Sequence, residues 1–193
     1  APQTGSGLGA AQVKFNRLIQ SGFEILVAVH DGHMIVAITE QIQDIDWYAT
    51  RDYKRPSRSA KVGMLPPKLA QMMVNTTTAP LVYDPFCGTG VVLQEALLQG
   101  RIACGSDLSQ DMVSASQKNL AWLHELRPEL KGWQVNLDDA RTVKMPDGKL
   151  AVVSEGYLGP NQTKPLSPED VKRLRVQLLE LYTDTLKNWA SQF

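Results

Sequence analysis

The fold is decided by residues 81–90, LVYDPFCGTG, in which a short apolar run ends in an acid and is followed by a turn with two glycines. The run LVY predicts a buried strand. Gly88 and Gly90 lack a Cβ atom, so the backbone of the turn can pass close to a ligand. Residues 90–100 predict a helix that ends at a glycine. A strand, a glycine turn and a helix in this order indicate one unit of a parallel sheet.

The chain that follows this unit repeats the alternation of strand and helix. Further strands are predicted at 101–106, 133–136 and 150–153, and further helices at 110–126 and 167–189. The alternation predicts an α/β fold with a doubly wound, Rossmann-like parallel sheet and helices on both faces. A β-hairpin is predicted before the sheet, at 23–39, because Asp31-Gly32 suits the two positive φ angles of a type I′ turn.

Length and composition indicate an ordinary globular protein, with 193 residues and a net charge of zero. We predict a linker and hairpin region at 1–50 and one sheet domain at 51–193. No apolar run reaches the roughly 18 residues of a membrane span, and the chain does not open with a signal-peptide pattern. The two cysteines and three histidines show no disulfide or metal-ligand spacing. We therefore predict a cytoplasmic protein with reduced thiols, no metal and no membrane partner.

Positive charge is concentrated in one segment, residues 51–68, RDYKRPSRSAKVGMLPPK. It holds six basic residues and one acid, whereas the chain as a whole is neutral. Two interpretations stay open: a solvated loop, or a segment that contacts phosphates. The candidates for contact with a nucleic-acid backbone are Arg51, Lys54, Arg55 and Arg58.

An acid lies at the end of each predicted strand of the sheet: Asp84, Asp107, the pair Asp138-Asp139, and Glu155 after Ser154. The carboxyl ends of parallel strands share one edge, which is where ligands bind in such folds. Each acid taken alone is better explained as a helix cap. The four together, beside a glycine turn, indicate a ligand site.

The spacing of these acids indicates the kind of ligand. The turn matches neither nucleotide fingerprint, and an acid before it would repel a pyrophosphate but attract an ammonium. Asp107 follows Gly90 by 17 residues, near the interval of about 20 at which an acid meets a ribose diol. Asp139 is placed to accept a hydrogen bond from an adenine amine. An amino acid, a ribose and an adenine together describe S-adenosylmethionine.

Three motifs then resemble a known family. DPFCGTG, GSDLS and Asp139-Ala140 resemble motifs I, II and III of the class I methyltransferases, and RDYKRP with MLPPKLA before them resembles the THUMP-associated tRNA guanine-N2 methyltransferases. The resemblance spans roughly residues 23–160. It implies a cofactor site made of these residues: Asp84, Pro85, Phe86, Cys87, Gly88, Thr89, Gly90, Asp107, Leu108, Asp138, Asp139 and Ala140.

The resemblance also implies a catalytic motif after the fourth strand, where the family has Asp-Pro-Pro-Tyr. That motif holds the amine of a flipped base, and its aromatic ring stacks on the base. This chain has Ser154-Glu155-Gly156-Tyr157 instead. Tyr157 keeps the ring, whereas the acid is displaced by one position, to Glu155. Three hypotheses follow: Glu155 replaces the acid, the target differs from guanine N2, or the site binds cofactor with little catalysis.

The resemblance implies a methyltransferase that acts on an exocyclic amine of a nucleic-acid base, with guanine N2 of tRNA as the leading expectation. The alternatives are a DNA amine methyltransferase and a non-catalytic module that binds cofactor or RNA. Class I sheets have about seven strands, and only four follow the motif order here, so we expect a chain truncated after the fourth strand and its helix. Two chains could then pair through the exposed edge of the fourth strand as a homodimer.

Overall fold

The computed structural model describes residues 8–58, 65–130, 132–162 and 165–192. The chain divides into two compact units, one up to Arg51 and one from Asp52 onward. Among the described residues, none of the helices combines the length and the apolar composition that crossing a bilayer would require.

The first unit contains a short helix, a hairpin and most of a second helix. Its elements are α1 (Ala10–Phe15), β1 (Ile25–His30), β2 (His33–Ile38) and α2 (Ile45–Tyr53). The hairpin is antiparallel, with Ile25 opposite Ile38 and His30 opposite His33. Asp31 and Gly32 adopt φ angles of 49° and 75°, which confirms the predicted turn.

The second unit contains the parallel sheet and four further helices. Its strands are β3 (Leu81–Asp84), β4 (Ile102–Asp107), β5 (Trp133–Leu137) and β6 (Leu150–Val152). Its helices are α3 (Pro67–Val74), α4 (Val91–Leu98), α5 (Gln110–Leu126) and α6 (Pro168–Ala190). The strand order is β5-β4-β3-β6, with every neighbour parallel. The predicted α/β fold is confirmed.

Helices cover both faces of the sheet, and the side chains of β3 point alternately to the two faces. Val82 is fully buried on the face that carries α4, a helix whose residues 91–97 are all buried. Tyr83 lies on the opposite face, in a cluster with Val143 and Met145 against which Trp189 of α6 packs. Strand β3, which leads into the glycine turn, therefore has helices on both sides.

The strand order leaves the described sheet with two edge strands, β5 and, on the opposite side, β6. This three-residue strand pairs with β3 on one side, from Leu81↔Leu150 to Tyr83↔Val152. Pairing of two chains through this edge stays a prediction. All four carboxyl ends point the same way, so the loops after β3, β4, β5 and β6 meet at one edge.

Candidate active site

The loop between β3 and α4, residues 84–90, folds back onto the end of β4. The amide of Cys87 donates to the carbonyl oxygen of Ser106 at 2.9 Å, and the amide of Gly90 donates to that of Cys87 at 2.8 Å. Gly88 and Gly90 adopt φ angles of 51° and 81°. A Cβ atom on Gly88 would meet nothing within 4 Å among the described atoms, so open space lies against the backbone there.

The two glycines have different neighbours. A Cβ atom on Gly90 would lie 2.4 Å from Oγ of Ser116 on α5, far inside van der Waals contact. Gly90 is therefore favoured both by its positive φ and by the close side chain of Ser116, whereas Gly88 leaves room for a ligand. The other residues of the turn point mostly inward, since Pro85, Cys87 and Thr89 are buried and Phe86 is half-buried.

This difference predicts unequal effects of two alanine substitutions. We expect Gly90→Ala to lower the free energy of unfolding by about 2 kcal/mol, from backbone strain and the contact with Ser116. Gly88→Ala, the matched control, should cost about 1 kcal/mol, from backbone strain alone. Urea unfolding of both variants measures the difference. Equal losses would contradict the role of the Ser116 contact.

Asp84 is a buried acid at the centre of the site, with 2% of its surface exposed. Burial raises its pKa to about 7, and the charges of Asp107 and Glu155 act in the same direction. Hydrogen bonds from the Ser154 side chain and from the amide of Phe86, at 3.1 Å, partly oppose the shift. The carboxyl thus lacks a compensating cation among its described neighbours, and a ligand ammonium would supply one.

A cavity of about 90 Å³ lies between the turn and the loop after β6. Asp84, Gly88, Glu155 and Gly156 are among the residues that line it, and none of its described lining residues is basic. The volume is below the roughly 300 Å³ of typical small-molecule sites. It therefore suits one charged end of a ligand whose remainder lies along the open edge of the sheet.

Asp107 connects the turn to the end of β4. Its carboxylate accepts hydrogen bonds from the amides of Gly88 at 3.0 Å and Ser109 at 2.9 Å. A carboxylate offers about four lone-pair positions, so two remain for the hydroxyls of a diol. Leu108 follows with its apolar side chain largely exposed at the same edge. The pair is suited to a ribose and the ring that it carries.

At the end of β5, the carboxylate of Asp139 already has a partner within the chain. The amide of Asp138 donates to the carbonyl oxygen of Asp107 at 3.2 Å, so the two strand ends lie side by side. Asp139 is engaged by Arg141, whose Nε lies 3.0 and 3.1 Å from its two carboxylate oxygens and holds its pKa below the usual value. Ala140 is buried. Contact of Asp139 with an adenine amine stays a prediction, and it would have to share the carboxylate with Arg141.

The loop after β6 carries the candidate catalytic residues, and of these Glu155 lines the same cavity. Ser154 bonds to Asp84, and its Oγ accepts from the amide of Gly156 at 3.0 Å. Glu155 lines the cavity beside Asp84. The side chain of Tyr157 is 46% exposed, so its ring is open to a stacking partner. The three residues that the sequence singled out are thus placed within one short loop against the turn.

The basic segment is only partly available to a nucleic acid. Arg51 is 2% exposed and lies 4.3 Å from the ring of Tyr48, and Arg55 is 3% exposed, with a pKa lowered by burial. Phosphate contact by Arg51 and Arg55 stays a prediction, and it would require these buried guanidinium groups to become exposed. For Lys54 and Arg58, which are exposed, it stays a prediction. Residues 59–64 of the segment lie outside the described ranges.

Two further residues at the site, Arg141 and Tyr182, are not among those that the sequence pattern indicates. Arg141 lies two positions from the Asp139 that it binds, and this short spacing of opposite charges was a usable signal. Tyr182 of α6 donates its hydroxyl to the carbonyl oxygen of Tyr157 at 2.8 Å. Tyr182 lies on the last helix, and nothing in the neighbouring sequence indicates a partner 25 residues away.

Comparison with known proteins finds sequence relatives of the chain. No family model matches it. The tRNA (guanine(10)-N2)-dimethyltransferase of Pyrococcus abyssi is 34% identical over 111 residues, which are 55% of this chain and 32% of that protein. The same-named protein of Methanothermobacter thermautotrophicus is 30% identical over 136 residues, 69% of this chain and 38% of that protein. The chain is a relative of the tRNA guanine-N2 methyltransferases.

The relationship to these methyltransferases covers part of their length, since the chain spans about a third of the curated relatives that it matches. Among solved structures, TrmN from Thermus thermophilus superposes with a TM-score of 0.52 at 18% identity, covering 86% of this chain and 45% of that one. At this identity the likeness shows the fold alone. It confirms the predicted Rossmann-like sheet, and the sequence relatives confirm the predicted resemblance.

Proposed function

We propose that this protein transfers a methyl group from S-adenosylmethionine to an exocyclic amine of a base in tRNA, with guanine N2 as the target. The observation that carries the proposal is the meeting of two loops at one acidic cavity. Asp84 of the glycine turn and Ser154 of the loop after β6 are hydrogen-bonded to each other, and Glu155 lines the same cavity. A cofactor held by the turn would lie beside a base held by the second loop.

The residues present fit the cofactor. Asp84 and Glu155 give a small acidic cavity for its ammonium, the missing Cβ of Gly88 leaves space for its chain, and Asp107 keeps lone pairs for the ribose hydroxyls. Leu108 offers an apolar surface for the adenine. When bound, the cofactor supplies an electrophilic methyl group on a positively charged sulfur. The surrounding carboxylates favour such a cation because opposite charges attract strongly where water is scarce.

The loop after β6 fits the target amine. The ring of Tyr157 stacks on a base that has left its helix, and the carboxylate of Glu155 accepts a hydrogen bond from the amine. This contact orients the nitrogen lone pair toward the methyl group and receives the proton that the amine loses after transfer. The hydroxyl of Ser154 donates to Asp84 and accepts from Gly156, so it has one lone pair left for the second amine hydrogen.

A second candidate is a module that binds cofactor without transferring the methyl group. One observation favours it: the position where the family has an acid carries Ser154, and its hydroxyl is engaged by Asp84. In this case the loop would lack a strong acceptor in the place that the family uses. The two candidates differ in turnover and agree in cofactor binding.

The experiment is methyl transfer from labelled S-adenosylmethionine to unmodified tRNA, with nucleosides identified by mass spectrometry and cofactor affinity measured by calorimetry. We expect N2-methylguanosine in tRNA and no label in single-stranded or duplex DNA. Binding without transfer would support the non-catalytic module. Label in DNA alone would move the target to a DNA amine, and absence of cofactor binding would overturn both candidates.

A further inference from the structure

Tyr182 lies near the middle of α6 and reaches the loop that carries Tyr157. Its hydroxyl donates to the carbonyl oxygen of Tyr157 at 2.8 Å. Burial raises the pKa of Tyr182, so the hydroxyl keeps the proton that it donates. The acceptor lies on the backbone, and the bond therefore restrains the direction in which the Tyr157 side chain leaves the chain.

The side chain of Tyr182 also packs against Gly156, the residue before Tyr157. Gly156 adopts a φ of 78°, and a Cβ atom on it would lie 2.3 Å from Oη of Tyr182 and 3.2 Å from Cζ. The phenol thus lies directly against the backbone of the loop. A second glycine of the loop, Gly159, packs against Leu174 of α6 in the same way. A Cβ atom on Gly159 would lie 3.2 Å from each of the two terminal methyl carbons of Leu174. One helix supports the loop at two points.

Tyr182 also contacts the turn on the other side of the cavity. Its ring centroid lies 6.0 Å from that of Phe86, with the ring planes inclined at 52°, a favourable tilted arrangement. Phe86 belongs to the turn that would hold the cofactor, and Tyr157 belongs to the loop that would hold the base. Tyr182 is in contact with both.

We infer that Tyr182 is a positioning residue that fixes residues 155–157, and with them the Tyr157 ring, relative to the cofactor turn. The effect of Tyr182 on methyl transfer rests on the proposed function, whereas its effect on the position of the loop does not. Transfer needs the amine nitrogen in line with the methyl group, and a misplacement of about 1 Å costs on the order of 100-fold in rate. The hydroxyl of Tyr182 holds the loop without touching substrate or cofactor.

The test is Tyr182→Phe, which removes the hydroxyl and keeps the ring. We expect kcat to fall about tenfold while the KM for S-adenosylmethionine stays unchanged, because the cofactor turn keeps its own contacts. The matched control is Thr185→Val on the same helix. Its hydroxyl is fully buried, and it makes no hydrogen bond within the described part of the chain, so this variant should keep wild-type kcat.

Amide hydrogen exchange at residues 155–157 gives a readout that does not depend on turnover. Loss of one hydrogen bond should raise exchange there about fivefold in Tyr182→Phe and leave Thr185→Val like the wild type. Unchanged exchange would overturn the inference, whether or not kcat falls. Faster exchange with unchanged kcat in an active protein would overturn it too. If the wild type transferred no methyl group, the proposed function would be wrong. Amide hydrogen exchange at residues 155–157 would still decide whether Tyr182 fixes the loop.

Discussion

Replacing Asp84 with asparagine should stabilise the free protein and at the same time remove most of its affinity for the cofactor. The carboxyl titrates near pH 7 in the folded protein and near 3.8 when unfolded. Between these values the unfolded chain has released the proton and the folded chain has not, so ionisation favours the unfolded state as pH rises. The stability contributed by the protonated carboxyl is present below about pH 4 and is lost by about pH 7.

The expected gain for Asp84→Asn is therefore largest in mild alkali. We expect on the order of 3 kcal/mol at pH 8, falling toward zero near pH 4, measured by urea unfolding at both values. Asp147→Asn is the control: its side chain is 94% exposed, so the same loss of charge takes place in water and should change the free energy of unfolding little. A variant less stable than the wild type at pH 8 would contradict the cause given for the pKa of Asp84.

Cofactor affinity should move in the opposite direction. The asparagine keeps the shape of the side chain but loses the charge that faces the ligand ammonium, so we expect affinity to fall about 100-fold in calorimetry at pH 8. The wild type should itself bind more weakly at pH 6 than at pH 8, because Asp84 gains a proton near pH 7. Equal affinity of variant and wild type would place the ammonium elsewhere.

Tyr157→Ala should lower methyl transfer to tRNA about 100-fold and leave cofactor binding unchanged. Stacking of a base on an aromatic ring contributes about 1–3 kcal/mol, and the ring also sets the position of the amine. Tyr157→Phe keeps the ring and should retain most of the activity. The rate with saturating cofactor over a range of tRNA concentrations measures the loss.

The neighbouring Leu158 provides the control for that experiment, since it is equally part of the loop and 71% exposed. Leu158→Ala should change the rate little, because an aliphatic side chain gives no stacking surface. If Leu158→Ala lost as much activity as Tyr157→Ala, the loop as a whole and not the ring would be responsible.

The fold was predictable where local signals mark the ends of elements. Helix α6 begins at Pro168, directly after Ser167, whose side chain caps the helix by accepting from the amide of Asp170. The hairpin followed from Asp31-Gly32, whose turn needs two positive φ angles. The meeting of the four acidic strand ends at one edge of the sheet was predictable because parallel strands all end on the same side, whatever the sequence of the helices between them.

The contacts of individual side chains were less predictable because they depend on distant neighbours. A run of positive charge looks solvated in sequence, yet Arg51 lies over Tyr48 and is buried. Asp139 was expected to face a ligand, and Arg141 binds its carboxylate in the structure. The bond from Tyr182 to Tyr157 depends on where a long helix crosses a loop, which hydrophobic periodicity does not specify.

Helix α6 is anchored to both loops that flank β6. Near its middle, Tyr182 holds the loop after the strand, and at its end the side chain of Asn188 donates to the carbonyl oxygen of Val143 at 2.9 Å, while Gln192 accepts from the amide of Met145 at 2.8 Å. The two loops therefore share one support. Detachment of the helix would release both together, which makes the strand, its flanking loops and α6 a single cooperative unit of local unfolding.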